Sequence, residues 1–300
     1  MKRYMLGIDV GGTNVKIGLV GPSYKIVDRE RISTKQYNQT RQKLIRTILK
    51  KINAICERNQ LKKRQIAGIG FGLPGLIDPV QGKIHFLPNI AGWKNVPLAK
   101  IIRSHTGLKT FLGNDVQLIT LAEWKLGAGK GFKNIFCITL GTGVGGAMIL
   151  DGRLYRGEGF VAGEVGHFPY DRSTLEKHVG NSPLLKRAAG IFKQERLTLE
   201  DVFQKAKQGN AKAVKFWEQA GVDIGTVMAG VVNVLNPRLL IIGGGVSNNL
   251  KYIKPGIDKA IKAHTMGVQR KMVKIVRAKL GDDAGILGAA ILVQESIHGK

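Results

Sequence analysis

The segments "LGIDVGGTNVKIGLV" (6–20) and "FCITLGTGVGGAMIL" (136–150) constrain this chain more than any other feature in it. Each reads as an apolar strand, a tight Gly/Thr turn and a second apolar strand. Ile8 matches Ile138 and Gly11 matches Gly141, an offset of 130 residues. One such unit per half points to a duplicated α/β domain with a ligand held between the copies, a chance match of two glycine hairpins being the alternative. Both turns suit phosphate. Glycine reaches the positive φ values that a tight turn is expected to need, and bare backbone N–H groups can approach phosphate oxygens, with a threonine hydroxyl as a further donor. Gly11, Gly12 and Thr13, and Gly141, Thr142 and Gly143, are therefore candidate phosphate ligands, and a plain hairpin turn is the competing reading of each. Asp9 ends the first strand, where it can orient Mg²⁺ through the ion's waters. Neither turn is a GxxxxGK[ST] loop or a GxGxxG opening a helix. A third cluster, "IIGGGVS" (241–247), ends an apolar strand where a nucleoside could lie on the bare backbone of Gly244.

Hydrophobic periodicity places further strands at 26–32, 66–72 and 239–243, with the glycine hairpins at 4–20 and 134–150. Helices are predicted over 40–58, near 96–105, and over 116–126, 198–207, 211–235 and 284–295, with a less regular stretch before about 180. On 40–58, Leu44, Ile45, Ile48, Ile52 and Ile55 mark one helical face, and Lys and Arg occupy the rest. At 300 residues, two domains sharing a cleft are the default expectation.

The 47 Lys+Arg against 21 Asp+Glu give a net charge of +26, a field that favours anionic partners in general. No helix-turn-helix pattern, zinc-finger spacing or aromatic-basic motif accompanies that charge, so no specific nucleic-acid partner is expected. The uncharged runs 135–150 and 224–237 fall short of the roughly 18 apolar residues that span a bilayer. Two cysteines in apolar surroundings, Cys56 and Cys137, suit a reducing cytoplasm rather than a disulfide framework.

In "FLGNDVQLITLAEW" (111–124), Asn114 and Asp115 stand where an apolar strand gives way to a helix. Either residue can cap that helix. A carboxylate at a helix N-terminus is also held ionised, as a proton acceptor must be.

Taken in order, these stretches resemble the ROK group of sugar kinases and sugar-responsive repressors, within the actin/hexokinase-like ATPase superfamily. "GIDVGGTNVKIGLV" is similar to the first phosphate motif, "GIGFGLPGLID" (68–78) to a GxGxPGxxD segment, and "LPNIAGWKNVPL" (87–98) to a PNxxGW sugar-contact stretch. "GNDVQLITLAEW" resembles the catalytic helix, and 140–167 the second phosphate loop followed by an AGExGH sugar motif. "NPRLLIIGGGVS" and "DDAGILGAA" resemble the nucleoside loop and the closing helix.

The resemblance implies an α/β actin/hexokinase-like fold, with two RNase H-like lobes around a central cleft. The expected division is a small lobe over 1–113, joined by the returning 284–300, and a large lobe over 114–283. It implies transfer of the γ-phosphoryl of Mg-ATP to a hexose hydroxyl, with Asp115 as general base. Asn89, Asn114, Asp115, Glu164, His167 and Glu176 would bind the sugar, because amides and carboxylates can each pair with two adjacent hydroxyls. Gly244 would lie beneath the adenosine. Typical members hold a structural zinc with the AGExGH histidine and three cysteines. Here "GHFPYDRSTLEKHVG" (166–180) has no cysteine, so no zinc is expected, and His178 is read as an exposed histidine. A cytoplasmic glucokinase acting as a homodimer is the simplest expectation. The alternatives are a kinase for another hexose or an N-acetylhexosamine, inorganic polyphosphate as donor, a sugar-sensing regulator, and a non-sugar ATPase of the wider superfamily. The regulators carry a DNA-binding segment ahead of the first phosphate strand, which here starts at about residue 4.

Overall fold

Each glycine hairpin forms the middle of a five-stranded sheet in the computed structural model, which describes residues 3–34, 41–87 and 92–299. In the first sheet, β1 (Tyr4–Val10) and β2 (Asn14–Val20) pair antiparallel, and β3 (Ile26–Ser33) extends the antiparallel side. On the other side, β4 (Ile66–Leu73) and β7 (Thr110–Asn114) add in parallel, for an order β3-β2-β1-β4-β7. The short hairpin of β5 (Leu76–Asp78) and β6 (Lys83–Phe86) precedes β7. The second sheet repeats the plan. Its hairpin is β8 (Ile135–Leu140) and β9 (Val144–Leu150), with β10 (Arg153–Tyr155) outside it and β13 (Leu239–Gly243) and β14 (Lys274–Arg277) in parallel on the far side. A hairpin of β11 (Pro169–Tyr170) and β12 (Ser173–Thr174) lies between β10 and β13 in the chain. The duplication read from the sequence is thus a duplication of topology. Val10 pairs with Val15 but Leu140 with Val144, so the second turn is one residue shorter and the offset of 130 falls to 129 after it.

The helices are α1 (Arg41–Arg58), α2 (Leu98–Thr106), α3 (Asp115–Leu126), α4 (Glu176–Val179), α5 (Asn181–Phe192), α6 (Leu199–Lys207), α7 (Ala211–Leu235), α8 (Leu250–His264), α9 (Gly267–Met272) and α10 (Ala284–His298). None among the described residues is long and apolar enough to cross a membrane. On α1 the buried residues are Leu44, Ile45, Ile48, Ile52 and Ile55, the face that periodicity predicts.

Two compact units divide the chain: Met1–Glu123 with Arg156–Val161 and Asp282–Lys300, and Trp124–Tyr155 with Ala162–Gly281. The first break therefore falls inside α3, not before Asn114. Packing explains this. A Cβ on Gly113 would meet the Leu118 side chain at 3.0 Å, and one on Gly288 of α10 would lie 2.0 Å from the Leu118 carbonyl oxygen, so the early turns of α3 are built into the first unit. Residues 156–161, expected in the other lobe, join this unit as well. The amide of Gln117 on α3 donates to the Phe160 carbonyl at 2.9 Å.

In the first unit α10 lies against β1, β2, β4 and β7 at backbone distance. A Cβ on Gly7 would sit 2.1 Å from the Ile286 carbonyl oxygen, and one on Gly70 would sit 2.0 Å from that of Ala289. In the second unit α7 and α8 use the same device. A Cβ on Gly221 would lie 2.0 Å from the Ile253 carbonyl oxygen, and one on Gly256 equally close to that of Glu218. The buried part of α7 includes Ile224, Val227, Met228, Val231 and Val232.

Candidate active site

In the first unit the chemistry collects at the carboxyl ends of the parallel strands, where open α/β sheets bind ligands. Asp9 of β1 pairs with Gly72 of β4, and Gly72 with Gly113 of β7, so Asp9 and the start of α3 share one sheet edge. The Gly11–Thr13 turn leaves β1 there. Gly11 donates its N–H to the Asn14 carbonyl at 2.9 Å. Thr34, just past the end of β3, anchors the turn: its hydroxyl donates to the Gly12 carbonyl at 2.8 Å, and its N–H donates to the Thr13 carbonyl at 2.9 Å. With both carbonyls held, the exposed Gly12 and Thr13 have no recorded partner for their N–H groups among the described residues, the state an anion-binding turn requires. Nothing local in the sequence singles out Thr34, which is buried to 1% exposure.

Asp9 is half-buried, and burial raises its carboxyl above the usual aspartate range; Lys16 opposes this and Asp282 adds to it. Lys16 is the cross-strand partner of Asp9 and forms an ion pair with Asp282 at 3.2 Å. The first turn of α10 closes on the same carboxylate, since a Cβ on Gly285 would lie 2.4 Å from the Asp9 Cγ. One carboxylate at the strand end, with that of Asp282 near enough to act on it, fits a hard cation held mainly by water and phosphate, the habit of Mg²⁺.

Asn114 and Asp115 make different hydrogen bonds in the structure. The Asn114 side-chain oxygen accepts the Gln117 N–H at 3.1 Å, which makes Asn114 the cap of α3. Its amide nitrogen lies 3.5 Å from the Gly75 carbonyl oxygen. Asp115, in the first turn, accepts the N–H of Val116 at 2.8 Å. Asn89 lies outside the described residues. Trp93, close by in the chain, is a core residue at 2% exposure.

The second unit gathers the other candidates. Gly141 donates to the Gly143 carbonyl at 3.0 Å, and Thr142 and Gly143 are exposed, with no recorded partner for their N–H groups among the described residues. The N-terminus of α5 abuts this turn, because Asn181 donates its N–H to the Gly141 carbonyl at 2.9 Å. That end of a helix favours anions. The expected positive φ is not found: Gly11, Gly12, Gly141 and Gly143 all lie outside the left-handed region. At Gly143 the absence of a side chain is what matters. A Cβ there would lie 2.9 Å from a Glu176 carboxylate oxygen.

That oxygen of Glu176 accepts the Val144 N–H at 2.8 Å, so the residue braces the Gly141–Gly143 turn and has one oxygen already committed. Glu164 and His167 sit on a loop laid directly over β9. A Cβ on Gly163 (φ 103°) would be 2.3 Å from the Gly146 carbonyl oxygen, and one on Gly166 would be 2.1 Å from that of Val144. Glu164 is exposed overall, yet partial desolvation of its carboxyl pushes it up; His167 opposes the shift and Glu176 adds to it. At the position where the resemblance implies a zinc loop in typical members, this chain has the tight β11–β12 hairpin, with Asp171 and Arg172 at φ 40° and 61°. Among the described residues no group of three or more His, Cys, Asp or Glu could hold a metal ion. His178 is not an exposed histidine: it is half-buried, its Nε2 lies 3.0 Å from the Ser173 hydroxyl, and its ring meets that of Tyr170 edge-on at 5.0 Å.

Gly244 (φ 78°, ψ 174°) occupies backbone space that belongs almost only to glycine, and its Cβ would lie 2.2 Å from the Leu140 carbonyl oxygen. The nucleoside candidate loop is thus pressed onto the strand that feeds the Gly141–Gly143 turn. Gly244→Ala is expected to cost about 2 kcal/mol or more in urea unfolding, from strain and overlap together. Gly245→Ala, with nothing within 4 Å of its Cβ, is the matched control and should unfold close to the parent.

A family model described as "ROK family" matches residues 5–296. The chain is 30% identical to a glucokinase of Thermotoga maritima, the alignment covering 99% of each. It is 26% identical to the DNA-binding transcriptional dual regulator NagC of Escherichia coli, covering 98% of this chain and 76% of the regulator. A crystal structure of a ROK glucokinase from Streptomyces griseus in complex with glucose and AMPPNP superposes with a TM-score of 0.82 at 25% identity, over 97% of this chain and 99% of that one. A family model matched over nearly the whole length, with relatives of the same extent, settles the lineage: the chain belongs to the ROK family.

Proposed function

We propose that this protein is an ATP-dependent hexose kinase, with glucose as the sugar. The observation that carries the reading is the division of labour at the start of α3: Asn114 caps the helix, so Asp115 is not needed for capping. In this reading Asp115 accepts the proton of the sugar hydroxyl as that oxygen attacks the γ-phosphorus of ATP. The bond from the γ-phosphorus to its bridging oxygen breaks, and ADP leaves. The N–H groups of Gly12, Thr13, Thr142 and Gly143 hold phosphate oxygens, and Gly244 and Gly245 offer bare backbone to the nucleoside. Mg²⁺, held through water by Asp9, would neutralise charge on the phosphates. Glu164 and His167 bind sugar hydroxyls, joined by the uncommitted oxygen of Glu176, while Asn89 is assigned by its motif alone. Phosphoryl transfer asks a protein chiefly for positioning and charge neutralisation, which glycine turns and one aimed carboxylate supply.

The test is a coupled ADP-release assay with Mg-ATP over glucose, mannose, fructose and N-acetylglucosamine, with inorganic polyphosphate replacing ATP in a parallel arm that reads hexose phosphate. Turnover highest on glucose with ATP is expected. The absence of both ADP release and hexose phosphate with every one of the sugars would overturn the kinase reading and leave the sugar-sensing one, and hexose phosphate in the polyphosphate arm alone would overturn ATP as the donor.

A further inference from the structure

Asp223 is a buried carboxylate, at 3% exposure in the middle of α7, that the proposed chemistry does not use. Three side chains from three elements converge on it. Arg187 of α5 donates to one oxygen at 2.7 Å, and the other oxygen accepts from the Tyr170 hydroxyl at 3.1 Å and from the Gln219 amide at 3.0 Å. Arg187 also lies over the Phe216 ring at 5.2 Å. Tyr170 belongs to the β11–β12 hairpin; the Thr226 side chain of α7 also reaches its hydroxyl, its ring packs against the core of the second unit, and His178 contacts both Tyr170 and Ser173.

The hairpin joins two functional segments. Phe168, which follows His167, accepts the Leu175 N–H at 3.1 Å, and Leu175 precedes Glu176. Clamping Tyr170 to α7 therefore limits where His167 and Glu176 can go. A two-residue hairpin loop has little core of its own to do that. A hydrogen bond to a charged acceptor is among the stronger ties a side chain can make. Desolvation, followed by the nearby Asp223 charge, pushes the Tyr170 hydroxyl up to about 12, so it remains a donor throughout the neutral range.

We infer that Tyr170, Asp223 and Arg187 are positioning residues: they fix the hairpin to α7 and thereby set the geometry of Glu164, His167 and Glu176 toward a polyhydroxylated substrate. The inference rests on the proposed sugar-binding role of those three side chains. The nucleotide turn Gly141–Gly143 is also held by Asn181 at the start of α5, outside the hairpin, so the network should govern sugar more than nucleotide.

Removing Asp223 would leave the Arg187 charge buried and risk unfolding, so the principal variant is Tyr170→Phe, which deletes one hydroxyl and keeps the ring against His178. Two readouts are taken on the full chain. The first is hydrogen–deuterium exchange of backbone amides over 163–176, which needs no activity. Exchange there should speed up at least about fivefold while α1 amides keep their parental rates, as local opening without global unfolding predicts. The second is steady-state kinetics, where glucose KM should rise about five- to tenfold with ATP KM and kcat within about twofold, the pattern of lost uniform binding. Parental exchange and parental glucose KM would overturn the inference, as would faster exchange with an unchanged glucose KM. Should the parent turn over no hexose, the proposed function fails by itself, and the exchange readout alone then decides whether the network fixes the loop.

Discussion

Asp115→Asn should lower kcat on glucose by about 10²–10⁴, the range lost when a positioned acid/base group is removed, while the protein still folds. The argument is one of substitution at constant shape. Asparagine keeps an oxygen where Asp115 accepts the Val116 N–H, and Asn114 continues to cap α3. What disappears is the ability to take a proton, together with a negative charge at the helix N-terminus worth about 0.3–1 kcal/mol. Thermal unfolding should therefore move down by no more than about 4 °C. Asn114→Ala gives the opposite emphasis. It removes the oxygen that satisfies Gln117 N–H and should cost about 1 kcal/mol of stability. Paired calorimetry and initial-rate measurements on the two variants separate cap from chemistry. Parental turnover by Asp115→Asn would return Asp115 to a helix-terminus role and remove the basis of the kinase reading.

How much of this was legible in the sequence depends on how far each determinant lies from the residue it controls. The face of α1 follows from the 3.6 period, which is local, and Leu44, Ile48 and Ile52 are buried where that period places them. The hairpins are legible for the same reason: strand, turn and return strand lie within 15 residues. Helix α8 is hidden by "KPG", because Pro255 and Gly256 in tandem read as a break. The structure needs that glycine for the close approach to α7, a requirement written in Gly221, 35 positions earlier.

The site shows the same gradient. Asp9, Asp115 and the turn glycines are visible because their motifs are contiguous. Why glycine stands at these turns is less visible, since none of the four lies in the left-handed region and the bracing Glu176 is far along the chain. Thr34 on Gly12, Gln117 on Phe160 and Tyr170 on Asp223 span 22, 43 and 53 residues, and no local pattern announces any of them. The cap at Asn114 is seen only in its hydrogen bond, because cap and ligand call for the same amide and the two roles do not exclude each other.

The largest expected loss of stability lies far from any ligand. Gly70→Ala should destabilise the protein by about 3 kcal/mol or more, at the upper end for overpacking, and lower the melting temperature by at least about 6 °C. Gly70 sits in the middle of β4, where its added Cβ would be 2.0 Å from the Ala289 carbonyl oxygen and 2.7 Å from the carbonyl carbon. Both are backbone atoms of α10, so no rotamer change relieves the overlap, and the helix must withdraw from the sheet. Withdrawal would uncover Ile286, Ala289, Ile291 and Val293, all nearly inaccessible now. Glycine-to-alanine substitution usually stabilises a chain by restricting its unfolded state, by about 0.4–1 kcal/mol where the conformation permits. Gly230, exposed within α7 with nothing within 4 Å of its Cβ, offers that permissive case. Gly230→Ala should raise stability by about 0.8–1 kcal/mol, the helix-propensity difference. The same added methyl group thus has opposite signs at the two positions, and urea unfolding of both variants measures it. Equal shifts would mean that α10 has slack against β4, and that close backbone packing does not hold the closing helix in place.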